Sequence, residues 1–162
     1  MTLAIRPTPP DHPQVLALIT ELDAYLESLY EPEDVYILDL DGLKHPAVTF
    51  LGAWSGDELV GCGAVRLMPA EPTTDDRPYG EIKRMFVSPT RRGERIGQRL
   101  LESLEGELRQ RGIDPALLET GPPQREALAL YMRCGYAPRG VYGGYPDKPS
   151  ASVFMEKRWN PA

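Results

Sequence analysis

Cysteine and histidine are scarce in this chain of 162 residues: Cys62 and Cys134, His12 and His45. Two cysteines far apart make no disulfide framework and no paired CxxC zinc site, and two imidazoles are too few for a typical zinc centre. No metal is therefore expected. No apolar run approaches the roughly 18 residues that a membrane helix needs, and residues 1–10 lack the apolar stretch of a signal peptide, so a cytoplasmic location is expected. Neither GxxxxGK[ST] nor GxGxxG occurs, which sets aside the P-loop and the dinucleotide fingerprint. A basic surplus is missing too: a net charge of −6 argues against a nucleic-acid binder.

What is present is ordinary globular composition, 41% hydrophobic and 26% charged, enough to bury a core without staples. The length predicts one domain over residues 1–162. The 17 prolines are scattered rather than clustered. Charge is uneven: residues 1–78 carry 14 acids and 4 bases, residues 79–162 carry 10 acids and 14 bases.

Apolar periodicity predicts a strand at 3–6 and an amphipathic helix through Val15, Leu18, Leu22 and Leu26 with Asp11 as its cap. A short helix is expected around 33–40. Residues 48–54 and 58–67 read as a hairpin about Ser55-Gly56-Asp57, with Gly61 and Gly63 marking a bulge or a close approach. A polar loop over 69–78 leads to a strand at 79–87. A helix over 95–111 ends at Gly112, followed by a strand at 116–119 and a helix at 125–134. Strands at 137–142 and 152–157 close the chain. Strands before and after two strong helices predict one α/β sandwich with a mixed sheet of six to seven strands.

The most informative stretch is Met85-Phe86-Val87-Ser88-Pro89-Thr90-Arg91-Arg92-Gly93-Glu94-Arg95-Ile96-Gly97-Gln98. A strand ends, a basic glycine-bearing turn comes next, and a long helix begins. Free amides and the positive end of a helix dipole meet at one point, where a pyrophosphate fits. Gly93 and Gly97 let backbone approach phosphate oxygens, and Arg91, Arg92 and Arg95 add charge. Arg95 and Arg99 oppose the dipole, so an anion is needed to offset them.

These residues resemble the acyl-CoA signature of the GCN5-related N-acetyltransferases, [QR]-x-x-G-x-[GA]. Arg92 falls on the first position and Gly97 on the last, while Arg95 stands where the family has its middle glycine. Ala127-x-x-Leu130-Tyr131-x-x-x-Gly135-Tyr136 is similar to the family's A-x-x-L-Y-x-x-x-G-F, and 81–87 resembles its central strand. The resemblance covers about residues 79–137 and implies a mixed, mostly antiparallel sheet splayed where the cofactor enters, with helices on both faces. It implies acetyl-CoA as co-substrate, with the backbone of Met85, Phe86 and Val87 pairing with the pantetheine arm and residues 91–98 holding the pyrophosphate.

Direct acetyl transfer to a primary amine of a small molecule or peptide, in a ternary complex, needs a base, since an alkyl ammonium holds its proton at neutral pH. The resemblance makes Glu81 the first choice, its structural alternative being an ion pair with Lys83 or Arg84. Glu119, ending the next strand, is the runner-up. The resemblance places Tyr131 near the sulfur as the acid for the leaving thiolate. Tyr30, Glu33, Tyr142 and Tyr145 are candidates to line the acceptor site. Cys134, with no histidine beside it, reads as an inert thiol. Two rivals keep the cofactor turn: a non-catalytic acyl-CoA sensor, and an acetyltransferase of protein lysines or N-termini. The acidic first half is expected to draw in a cationic amine. A homodimer and a monomer both stay open.

Overall fold

The computed structural model describes residues 2–159. Its spine is the hairpin of β2 (Val48–Ser55) and β3 (Glu58–Glu71), which reverses at Gly56 with a φ of 62° that favours glycine. β1 (Leu3–Pro7) adds to β2, and β4 (Arg77–Val87) lies antiparallel to β3. β5 (Ala116–Thr120) pairs with β4 in parallel; β7 (Val153–Lys157) and β6 (Ala137–Arg139) complete the sheet. Among the described residues the order is β1-β2-β3-β4-β5-β7-β6, a mixed seven-stranded sheet in which only β4 and β5 run parallel.

Helices cover both faces. α3 (Ile96–Gln110) buries Ile96, Leu100, Leu101, Leu104 and Leu108 at the predicted helical spacing against Leu51, Ala53, Val60, Ile82 and Leu118. α4 (Arg125–Arg133) adds Tyr131 to the same core. α1 (Pro13–Leu29) sets Val15, Leu18 and Leu22 against Phe50, Trp54, Cys62, Ala64 and Phe86 on the opposite face, joined by Leu43 of the short α2 (Leu40–Leu43). Among the described residues no helix is long and apolar enough to cross a membrane.

Several boundaries differ from expectation. His12, not Asp11, caps α1: its Nδ1 accepts from the Gln14 amide, while Asp11 pairs with Lys44. The expected helix at 33–40 is a 3-10 turn at Pro32–Asp34 and then extended chain, because Asp39 caps α2 instead. The loop at 69–78 shrinks to residues 72–76, with β3 continuing to Glu71; Glu71 and Thr74 cap its short turn reciprocally. β6 stops at Arg139, since the glycines at 140, 143 and 144 favour turns over pairing.

β4 departs from a regular strand in two places. Phe86 faces Cys62 and Lys83 faces Ala64, so Arg84 and Met85 together oppose the single Gly63 in a bulge. Arg84 takes a φ of 58° there, and a Cβ on Gly63 would lie 2.5 Å from Met85 Sδ. The β4–β5 ladder runs only from Gly80–Ala116 to Ile82–Leu118; beyond it the strands separate.

Candidate active site

The basic turn between β4 and α3 is tight. A 3-10 turn at Pro89–Arg91 and Gly93 at φ 87° bring the chain round, and Arg95 enters α3 in the left-handed conformation at φ 61°. Among the described residues no side chain caps α3, and the amides of Ile96, Gly97 and Gln98 have no acceptor. Three N–H groups and the helix dipole thus point at one spot. The spot opens on a cleft of about 790 Å³ between β4 and α4, lined by Met85, Phe86, Val87, Arg91, Arg92, Gly93, Arg95, Ile96, Gly97 and Gln98 from the predicted set. Glu94 is not in its wall; it pairs with Arg91, which also reaches Glu58. Arg92 pairs with Glu126 at 2.8 Å and lies over the Phe86 ring. Arg133 lines the cleft from α4, whereas Arg125 does not.

This cleft meets a second, smaller pocket at Leu22, Met85, Gln124 and Tyr131. The small pocket fills the gap where β4 and β5 separate, and its polar groups are Tyr30, Asp34, Tyr36, Lys83, Arg84, Glu119, Thr120, Gln124 and Tyr131. Glu119 is half-buried and accepts from Ser152 Oγ at 2.8 Å. Burial pushes its carboxyl up to about 7, against the opposing pull of Ser152 and Lys83. Tyr131 is 7% exposed, and burial and the charge of Glu119 hold its phenol above the usual range. Thr120 Oγ1, beside Glu119, is buried with no partner among the described residues.

Glu81 has a different environment. It is 1% exposed and accepts three hydrogen bonds at 2.7 Å, from Arg66, Tyr142 and Tyr145. Burial raises its carboxyl, but Lys83 and these three donors outweigh that and hold it below the ordinary range. The ion-pair partner is Arg66, not Lys83 or Arg84; Arg84 instead binds Asp23 of α1.

Of the candidate acceptor residues, Tyr30 lines the small pocket, its hydroxyl accepting from Gln124 at 2.8 Å. Tyr145 lines a neighbouring pocket of about 410 Å³ with Arg66, Tyr79, Glu81 and Lys83. Tyr142 is 1% exposed and packs beneath it against Tyr79 and Phe154. Glu33 is exposed; Asp34, one residue on, faces the pocket. Sequence reasoning missed Lys83, Tyr36 and Gln124 as pocket residues. Lys83 had a signal, since it lies two residues from Glu81 on a strand and so shares its face.

A splayed mixed sheet with a free helix N-terminus beside the gap defines a class of acyl-CoA-dependent transferases, and comparison with known proteins agrees. The family model for the Acetyltransferase (GNAT) family matches residues 15–136, and the chain belongs to that family. It is 47% identical to the IAA acetyltransferase of Azospirillum brasilense over 88% of this chain and 89% of that one. A Klebsiella pneumoniae structure, provisionally named an acyl-CoA N-acyltransferase, is 38% identical with a TM-score of 0.79 over 97% of both chains. The fold is shared with the PaiA N-acetyltransferase of Thermoplasma acidophilum, solved with coenzyme A: 17% identity, TM-score 0.72, over 98% of this chain and 100% of that one. The protein is an acyltransferase with acetyl-CoA as co-substrate.

Proposed function

We propose that residues 1–162 act as one cytoplasmic N-acetyltransferase domain that moves an acetyl group directly to a primary amine in a ternary complex. The observation that carries this reading is the junction of two cavities: Glu119 and Tyr131 stand in one small pocket, and Tyr131 and Met85 also line the larger cleft. Acetyl-CoA supplies the acyl carbon as a thioester. The amides of Ile96, Gly97 and Gln98, with Arg92, would hold its pyrophosphate, and the unpaired edge of 85–87 would hold its pantetheine arm.

Glu119 is the base in this reading. It takes a proton from the acceptor ammonium, freeing the lone pair that bonds to the acyl carbon. A backbone amide at the bulge polarises the carbonyl. As the carbon–sulfur bond breaks, the Tyr131 hydroxyl gives its proton to the sulfur, and the second proton that the nitrogen sheds as the amide forms restores the phenol through solvent. A carboxyl near 7 is half ionised at neutral pH, strong enough as a base and still largely available. Glu81, engaged by three donors, serves instead to fix Arg66 and the tyrosines of the 140–152 loop.

The test is a pH–rate profile. Wild-type kcat/KM should rise with pH and level off above about 7. Glu119→Gln should remove that limb and lower kcat by about 10²-fold or more, and an unchanged limb would return the base to Glu81. Tyr131→Phe should lower kcat by about 10²-fold while leaving acetyl-CoA affinity nearly unaltered, measured by calorimetry.

A further inference from the structure

The charges that line the acceptor side differ in how they are used. Arg66 is paired with Glu81, Arg84 with Asp23, and Asp34 with Lys148. Two have no ion-pair partner among the described residues: Glu119 on β5 and Lys83 on β4. The Ile82–Leu118 pair ends the parallel ladder, so Lys83 and Glu119 are the next residues along, side by side where the strands part. Both are half-buried and both line the small pocket. Lys83 also lines the 410 Å³ pocket and stands at the boundary between the two, with Val35, Tyr36 and Ile37.

The Lys83 ammonium has three donors. One meets Tyr145 Oη at 3.0 Å and one the Tyr36 carbonyl at 3.4 Å, both neutral. The third has no partner among the described residues. Tyr145 Oη donates its own proton to Glu81, so it stands between the lysine and that carboxylate. Lys83 is therefore a partly desolvated cation with a free donor, facing a cavity that continues away from the reacting end.

We propose that the acceptor carries an acidic group as well as its amine, and that Lys83 binds that group while Glu119 faces the ammonium. This rests on the transferase reading and names the substrate class: amino acids and amino-acid-like zwitterions with a carboxylate, or an equivalent anion. A zwitterion matches Glu119 and Lys83 charge for charge. Once Glu119 takes the amine's proton it is neutral, and Lys83 would lose its nearest uncommitted counter-charge in a poorly solvated place. The substrate's own acid keeps the lysine compensated through the transfer. A polyamine would instead bring a second cation against Lys83, Arg66 and Arg84.

Matched acceptors test this: phenylalanine against phenylalaninamide and phenethylamine, and β-alanine against β-alaninamide and propylamine, scored by CoA thiol release. The acids should exceed their neutral partners in kcat/KM by about 10-fold or more, the scale of one charged hydrogen bond. Lys83→Met should collapse that ratio towards one, mostly through KM, and Lys83→Arg should restore part of it. Binding of N-acetylphenylalanine and its amide to the CoA complex, followed by calorimetry, gives the same comparison without turnover. Amides or plain amines preferred over acids, a ratio untouched by Lys83→Met, or no acid bound at all would overturn the anion site. Acids bound through Lys83 with no turnover of any amine would leave the anion site standing and overturn the transferase reading.

Discussion

Glu81 and Glu119 show how little a residue type says before its neighbours are known. Both sit on the same face of adjacent strands, yet three donors clamp one and burial with a single serine loosens the other. Glu81→Gln should cost about 1–3 kcal/mol in urea unfolding at neutral pH, because Arg66 loses its charged partner. The pH dependence takes its sign from the depressed carboxyl: the contribution of Glu81 is full above the unfolded carboxylate range and is lost as pH falls through the lower folded value. The variant should accordingly narrow its deficit in acid while keeping the catalytic limb near 7. The two glutamates and Tyr131 were readable as candidates from strand positions and the A-x-x-L-Y spacing. Their different environments were not, because the partners that set them, Tyr142, Tyr145 and Ser152, lie more than thirty residues away in sequence from the carboxylates they touch.

At the scale of elements, the basic turn and α3 were the most readable parts, since five apolar residues at helical spacing and a glycine-bearing strand end are local signals. The 31–39 segment and the 140–152 loop were not, because neither has periodicity and their order comes from each other: Lys148 pairs with Asp34, and Tyr36 packs edge-on to Tyr145 at 5.4 Å. On the proposed function these loops and the basic turn serve different substrates, which substitutions can separate. A Cβ on Gly121 would lie 2.0 Å from Tyr30 Oη and 2.6 Å from the Ala151 carbonyl. Gly121→Ala should therefore displace Tyr30, raising the acceptor KM several-fold with a stability cost of about 1–3 kcal/mol, and spare the KM for acetyl-CoA. Arg92→Ala should do the reverse, raising the acetyl-CoA KM by about 10-fold with the acceptor KM held. Steady-state kinetics with each substrate varied in turn checks both.

Across the whole molecule the uneven charge proves to be partly internal. Among the described residues four ion pairs join an acid of the first half to a base of the second: Arg84–Asp23, Arg91–Glu58, Lys148–Asp34 and Arg158–Asp75. Part of each half's surplus is thus neutralised by the other, which weakens the expectation of long-range steering of a cation by the first half. Sequence showed the imbalance but not its pairing, because the two halves meet only when β4 is laid between β3 and β5. The parting of β4 from β5 has a consequence for the protein's own integrity. Most sheets are vulnerable at their outer strands, whereas this one has a seam in its middle, where Lys83, Phe86 and Val87 pair with β3 only and the bulged Arg84 and Met85 with neither neighbour. Amide exchange at Met85 and Val87 should outpace that of Tyr79–Ile82 and slow by about 10-fold or more with saturating CoA, as measured by hydrogen–deuterium exchange. On the proposed function the donor acts as a strand on loan, mending the sheet each time it binds and leaving the seam open each time it departs.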